Sequence, residues 1–210
     1  MSEPAPVVLV HGLFYGRLSM ALLARRLRRA GLRTRSFAYR PTRDGLDAAA
    51  RALARFAAAD CTRPPHFVGH SFGGLVILRA LELQHDRDPG RAVLLGSPLQ
   101  GSRVARQLCR WRPGRALLGA AGPELVAGYD RIRSGWKVGL IAGNRSLGLG
   151  RLAGIRLGRS DGTVALDEVM AGDAADRDVL PVSHTGLLVS GRVAERVAAF
   201  LQNGRLRSLP

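Results

Sequence analysis

In the stretch FVGHSFGGL, Phe67 to Leu75, one serine stands between glycines, with an apolar strand-like run entering and an apolar helix-like run leaving. Ser71 is either a turn residue or a nucleophile. Gly69, His70, Ser71, Phe72 and Gly73 form a GxSxG pattern, common by itself in a chain with 26 glycines. Its position between a strand and a helix gives the pattern force. A nucleophile presented on a tight, strained turn needs small neighbours two positions away on either side, and Gly69 and Gly73 supply them. A helix beginning at Phe72 directs its N-terminal amides toward an oxyanion formed beside the serine.

A serine hydroxyl is a poor nucleophile without a base, and the base needs a group that holds its tautomer. In a parallel sheet such groups gather at the carboxyl ends of strands. Of the five histidines, His11 and His70 sit in the first loop and in the elbow, His66 opens a strand and His85 lies in a polar turn. Only His184, in LPVSHTGLL after the last expected strand, is placed to reach the elbow from a strand end. The acid is expected between Ser71 and His184. Asp161 in RSDGTVAL, beside Gly162, suits a turn at the rim of the sheet. Asp167, Asp173, Asp176 and Asp178 compete from a charge-rich connection whose ordinary explanation is solvated surface.

An oxyanion needs two donors. The N–H of Phe72, directly after the serine, is one. The other is expected from the loop after the first strand, VLVHGLFYG, where Gly12 lets the backbone approach and Leu13 offers its N–H. His11 is expected to support this loop by packing or hydrogen bonding, without transferring a proton.

These residues must be held by a frame. Val7 to Val10 reads as a buried parallel strand, and a helix from about Leu18 to Ala30 follows, with Leu18, Leu22, Leu23 and Leu27 near helical spacing. Arg33 to Tyr39 alternates as a second strand, Leu46 to Ala59 is an Ala-rich helix, and His66 to Gly69 is a third strand. Phe72 to about Gln84 reads as a helix, and Ala92 to Leu95, Trp136 to Ala142 and Asp178 to Val182 as strands; Val193 to Leu201 closes the chain as a helix. Strands alternating with helices give an α/β class with a parallel sheet covered on both faces. Pro98 to Gly135 is a long interval of short apolar pieces, expected to form a small helical cap over a pocket. GLGRLAG, Gly148 to Gly154, has the look of a dinucleotide loop but lies away from any first strand-to-helix turn.

The 210 residues, 46% of them hydrophobic, suit one domain spanning residues 1–210. No run approaches the ~18 apolar residues of a membrane span, and Val7 enters a strand pattern without a signal-peptide core, so a soluble cytoplasmic protein is expected. Cys61 and Cys109 are too few for a disulfide framework and lack the companions of a zinc site; buried reduced thiols, no metal and no cofactor are expected. The formal net charge is +16, and Lys137 is the single lysine among 32 basic residues. Such a surface attracts phosphates and carboxylates. Arginines cluster at Arg25, Arg26, Arg28 and Arg29, and again at Arg103, Arg106, Arg110, Arg112 and Arg115, but without interleaved aromatics, which argues against nucleic acid.

Taken together, VVLVHGLFYG, FVGHSFGGL, VLLGSPLQGS, SDGTVAL and LPVSHTGLL resemble the successive site segments of the α/β-hydrolase superfamily, in the order Ser, Asp, His, and the short lipases and esterases within it. These segments run from residue 7 to residue 188. The resemblance implies a minimal α/β-hydrolase fold of about six mainly parallel strands with a small cap, the chain beginning at what would be the third strand of the full fold. It also implies carboxylic-ester hydrolysis, with Ser71 attacking, His184 carrying the proton, Asp161 orienting His184, and Leu13 and Phe72 donating to the oxyanion. GSPLQGS is similar to the GTPHxGS of lipase-like members, departing from it at Leu99 and Gln100.

Three functions compete. The first is an esterase or lipase-like serine hydrolase acting on a small-molecule or lipid ester. The second is an acyltransferase or thioesterase using the same groups. The third is a non-catalytic basic protein on a hydrolase scaffold, resting on anionic membrane or a partner. For the hydrolase, the arginines beside the cap would bring the site to an anionic membrane surface or acidic substrates. Oligomeric state has no signature here.

Overall fold

Val7–Val10 (β1), Thr34–Phe37 (β2), His66–His70 (β3), Ala92–Leu95 (β4), Val138–Gly143 (β5) and Asp176–Leu180 (β6) form one sheet in the order β2-β1-β3-β4-β5-β6, with every neighbouring pair parallel. The computed structural model describes residues 5–59, 63–84, 90–133, 135–147 and 155–206. Cys61, His85 and the GLGRLAG stretch lie outside the described residues.

The central strands β1, β3, β4 and β5 are buried along almost their whole length, and β1, β4 and β5 read as apolar runs, because both their faces are covered. On one face lie Ala21–Arg29 (α1) and Gly191–Asn203 (α9), which bury Leu23, Leu27, Val193, Val197 and Phe200 against Leu9 and Val68. On the other lie Pro41–Ala58 (α2) and Phe72–Glu82 (α3), where Leu53, Leu75 and Leu78 pack with Val8 and Leu94. Each such fully buried aliphatic side chain contributes about 1.5–3 kcal/mol of transfer free energy. The connection from β1 to β2 thus runs over one face and that from β2 to β3 over the other. This makes the C-terminal ends of β1 and β3 the point where the winding reverses, which is where open α/β sheets form a crevice.

Among the described residues between β4 and β5 lie the short α-helices Arg103–Leu108 (α4), Arg112–Leu118 (α5) and Gly122–Ala127 (α6). Beyond β5 come the one-turn helix Leu166–Val169 (α7) and, after β6, Gly186–Val189 (α8). Among the described residues no helix is long and apolar enough to cross a membrane.

Three local expectations need correction. Arg17–Met20 is a 3₁₀ turn before α1, which changes the phase of the apolar stripe: Leu18 is 80% exposed and Leu22 38%, while Met20 and Leu23 are buried. The Ala-rich helix is reached through an earlier turn at Pro41, with a break at Gly45 (φ 67°) just before Leu46. The last strand starts at Asp176, so Asp178 is no solvated connection: it is buried, and its Oδ2 accepts a hydrogen bond from Arg196 Nε at 3.1 Å.

Candidate active site

Ser71 is the single residue between β3 and α3, with φ 54° and ψ −124°. A side chain at positive φ is strained, and here two hydrogen bonds hold it: the N–H of Ser71 donates to Leu95 O (2.8 Å) and the N–H of Gly74 to Ser71 O (3.0 Å). The hydroxyl does not cap α3, so the common structural use of a serine at this position is not made. The glycines around it are dictated by close approach. A Cβ on Gly73 would lie 2.3 Å from Val10 O, and one on Gly69 2.7 Å from the Gly74 backbone. Any side chain at either place would push the helix off the strand ends.

His184 and Asp161 come from the loops after β6 and β5. Nδ1 of His184 stands 2.6 Å from Oδ2 of Asp161, and both side chains are buried. A carboxylate there accepts the Nδ1 proton, leaving Nε2 of the neutral ring as an acceptor. Oδ1 of Asp161 is itself fixed by the N–H groups of Thr163 (2.9 Å) and Val164 (2.8 Å). The N–H of His184 donates to Asp161 O at 2.9 Å, so main chain as well as side chain joins the two loops. Ser71 and His184 line the same cavity, and among the described residues no hydrogen bond yet links the hydroxyl to the ring. Such contacts often tighten only when substrate is bound.

Gly12 brings the β1 loop against the elbow: a Cβ there would sit 2.8 Å from Ser71 Cβ. Among the described residues the N–H groups of Leu13 and Phe72 are engaged by no backbone acceptor. His11 Nδ1–H donates to Gly12 O at 3.0 Å, and burial lowers its pKa below the usual 6.5. His70 is fully buried; its Nε2–H donates to His184 O at 3.0 Å, and burial first, then His184, push its pKa well down. Neither ring is poised to titrate as a base near neutrality.

Several positions near the centre carry no signal in a single sequence. Gly96, at φ 56°, stands where a Cβ would be 3.0 Å from Asp161 Oδ2 and 3.2 Å from His184 Nδ1. Gly143 leaves room for Asp161 in the same way, at 2.9 Å from its Cβ. The Tyr15 hydroxyl bonds Thr185 Oγ1 (2.9 Å), tying the loop that carries Leu13 to the residue after His184. Glu168 is buried, its pKa raised by burial, and its carboxyl oxygens accept the N–H groups of Arg103 (2.6 Å) and Ala165 (2.8 Å), binding α4 to α7. Of the competing acids, Asp167 faces outward in an ion pair with Arg103.

Ser71 and His184 open into a cavity of about 390 Å³ walled by Val104, Leu108, Leu118, Leu125 and Val164. Its size lies in the range of small-ligand pockets, ~300–1,000 Å³. At its mouth Phe14 and Leu147 are 53% and 63% exposed. The arginine row beside it is less uniform than its spacing suggests. Arg103 is spent on Asp167, and Arg115 donates to Cys109 O at 3.0 Å, whereas Arg106, Arg110 and Arg112 are exposed beside the half-exposed Trp111. The Cys109 thiol is free and half-buried rather than buried.

A sheet of this order with a serine elbow after its third strand belongs to one class of protein, and the chain is a member of the Alpha/beta hydrolase family, whose model matches residues 7–201. Solved structures of similar fold include a Bacillus licheniformis lipase in its mature form (21% identity, TM-score 0.79, 98% of this chain and 94% of that one). A metagenomic carboxyl esterase is also similar (17%, TM-score 0.70, 94% and 75%). So is a monoacylglycerol lipase of Paleococcus ferrophilus (17%, TM-score 0.63, 95% and 96%). Among curated proteins none matches this chain.

Proposed function

We propose that the protein is a serine hydrolase of carboxylic esters, esterase or lipase-like, working through an acyl-enzyme on Ser71. The observation that carries this reading is an uncapped serine hydroxyl on a strained turn, facing a cavity it shares with a histidine whose Nδ1 is held by a buried carboxylate. His184 Nε2 takes the proton as Ser71 Oγ attacks the acyl carbon, and Asp161 keeps the ring in that tautomer and stabilises the imidazolium. The N–H groups of Leu13 and Phe72 receive the developing oxyanion. His184 then protonates the departing alcohol, and a water activated by the same nitrogen releases the acid. His11, Gly12, Gly69, His70 and Gly73 support this arrangement.

Residues 98–135 act as a small cap on a single domain, placing the acyl chain among Leu108, Leu118 and Leu125. Acyl transfer or thioester cleavage would use the same groups; a mouth framed by exposed Phe14 and Leu147 admits water and favours hydrolysis. The names of the structural neighbours, a lipase, a carboxyl esterase and a monoacylglycerol lipase, agree with an ester substrate. Arg106, Arg110 and Arg112, with Trp111 and Leu117 exposed on the cap, suit a site brought to an anionic membrane surface.

The test is a fluorophosphonate probe with a series of p-nitrophenyl esters, applied to the native chain and to Ser71→Ala. Labelling and turnover by the native chain alone are expected. A native chain that takes no label and cleaves nothing would transfer the weight to the non-catalytic scaffold.

A further inference from the structure

A second concavity adjoins the first. Phe14 and Tyr15 form a lip common to both, and beyond it lies an open groove of about 460 Å³ bounded by Tyr39, Arg40, Thr42 and Arg43. The two spaces differ in chemistry. The Ser71 side is walled by leucines and valines, while the groove is lined by two arginines three residues apart, a threonine and a tyrosine. Arg40 and Arg43 are exposed, and among the described residues neither side chain is engaged by a carboxylate. The nearest acid in sequence, Asp44, accepts the backbone N–H of Arg40 at 2.7 Å and is not part of the groove wall. The Tyr39 hydroxyl donates to His11 O at 2.8 Å, which anchors the groove to the loop bearing Leu13.

An ester seated at Ser71 has two arms. If its acyl arm fills the leucine-walled cavity, its alcohol arm leaves over the Phe14–Tyr15 lip, toward Arg40 and Arg43. Two unpaired guanidinium groups in a shared concavity are suited to a phosphate, whose oxygens accept several N–H donors at once. We infer that this groove is the alcohol-side subsite, and that the preferred substrate is an acyl ester whose alcohol or thiol portion carries a phosphate group. The inference rests on the ester-hydrolase reading above. The acyl carbon–oxygen (or carbon–sulfur) bond breaks, one water is consumed, and the phosphate-bearing alcohol or thiol departs with a proton from His184. The phosphate itself is untouched.

The experiment compares kcat/KM for 1-octanoylglycerol 3-phosphate, octanoyl-coenzyme A and neutral 1-octanoylglycerol at ~0.15 M salt, where long-range attraction is screened. The proteins are the native chain, Arg40→Ala with Arg43→Ala, and a control in which Arg25 and Arg29 of α1, on the opposite face of the sheet, become alanine. Melting curves check that each variant is folded. The native chain is expected to favour a phosphate-bearing ester by about tenfold or more, the factor associated with charge-assisted hydrogen bonds. The groove variant loses that ratio and the control keeps it. Which of the two anionic substrates shows the dependence tells a glycerophosphate ester from a nucleotide thioester. A ratio near one in the native chain, or one reduced equally by both double variants, overturns the groove; equal reduction would mark only the general attraction of a chain of charge +16. A folded native chain that cleaves none of these three substrates nor p-nitrophenyl octanoate overturns the ester reading itself, and the groove falls with it.

Discussion

The ring of His70 lies beneath that of His184, with centroids 4.6 Å apart and Nε2–H of His70 donating to the main-chain carbonyl of His184 at 3.0 Å. His70 therefore holds the histidine loop from inside the core, as a neutral ring. Burial depresses its pKa well below 6.5, and burial lowers those of His11 and His66 as well. A histidine whose folded pKa is depressed is protonated first in the unfolded chain, so its contribution is whole above the unfolded value and is lost as pH falls. Denaturant titrations should show stability level near pH 8 and declining from about pH 6.5 downward, with a slope of up to about 1.4 kcal/mol per pH unit from His70 alone. His70→Asn should flatten that decline. An unchanged profile in the variant would contradict the neutral, buried assignment.

Asp161 and Asp178 are both buried carboxylates near the C-terminal half of the sheet, with opposite partners. Asp161 faces His184 at 2.6 Å, and Asp178 faces Arg196 at 3.1 Å. Asp161→Asn should reduce kcat by about 10³–10⁴-fold with little change in melting temperature, because the amide favours the wrong tautomer of His184. Asp178→Asn should leave kcat within about twofold and lower stability by about 1–3 kcal/mol, the range for weakening a partly buried charged pair. Ester kinetics and melting curves on the two variants separate the roles. The reverse pattern would reassign the acid.

Gly12→Ala tests the oxyanion loop without touching Ser71. The added methyl would meet Ser71 Cβ at 2.8 Å and His70 O at 3.0 Å, both parts of a packed turn, so the loop carrying Leu13 must give way. Displacing one oxyanion donor should lower kcat by about 10²–10³-fold with KM little altered. Fluorophosphonate labelling should slow in parallel. Normal kcat in a folded Gly12→Ala protein would remove Leu13 from the proposal.

The parallel frame is legible because β1 and β4 are unbroken apolar runs and β5 is interrupted only by glycine. Ser71 follows β3 directly and His184 follows β6 closely, whereas Asp161 stands well beyond the end of β5 and is marked only by its turn beside Gly162. What escaped depends on contacts between distant loops. Nothing local marks Gly96 as the glycine that must make room for Asp161 and His184, or Tyr15 as the partner of Thr185, 170 residues away. Asp178 looks like surface in a run of charges, and only the register of β6 against β5 turns it toward Arg196. Leu18 departs from the apolar stripe for a different reason: it stands in a 3₁₀ turn, through which the spacing of an α-helix does not carry.

The cap offers the last test. Trp111 is 54% exposed and Leu117 52%; Arg110 and Arg112 flank Trp111 in the chain, and these two and Arg106 are exposed without carboxylate partners among the described residues. Apolar groups at a rim of arginines favour an anionic bilayer over a neutral one, since the charges bring the face to the surface and the rings then enter the headgroup layer. Cosedimentation with vesicles containing about a third phosphatidylglycerol should be strong at 0.05 M salt and weak at 0.5 M, as the screening length shrinks from well over 10 Å to a few ångströms. Vesicles of phosphatidylcholine alone should leave the protein in solution. Reversing Arg106, Arg110 and Arg112 to glutamate should abolish binding, while the same change at Arg25 and Arg29 on the far side of the sheet should weaken it only modestly. Equal losses from the two faces would mean that net charge alone attracts the protein and that the cap gives it no orientation. Trp111→Ser distinguishes the apolar part: it should lower the bound fraction at high salt more than at low salt, because the arginines still act when unscreened.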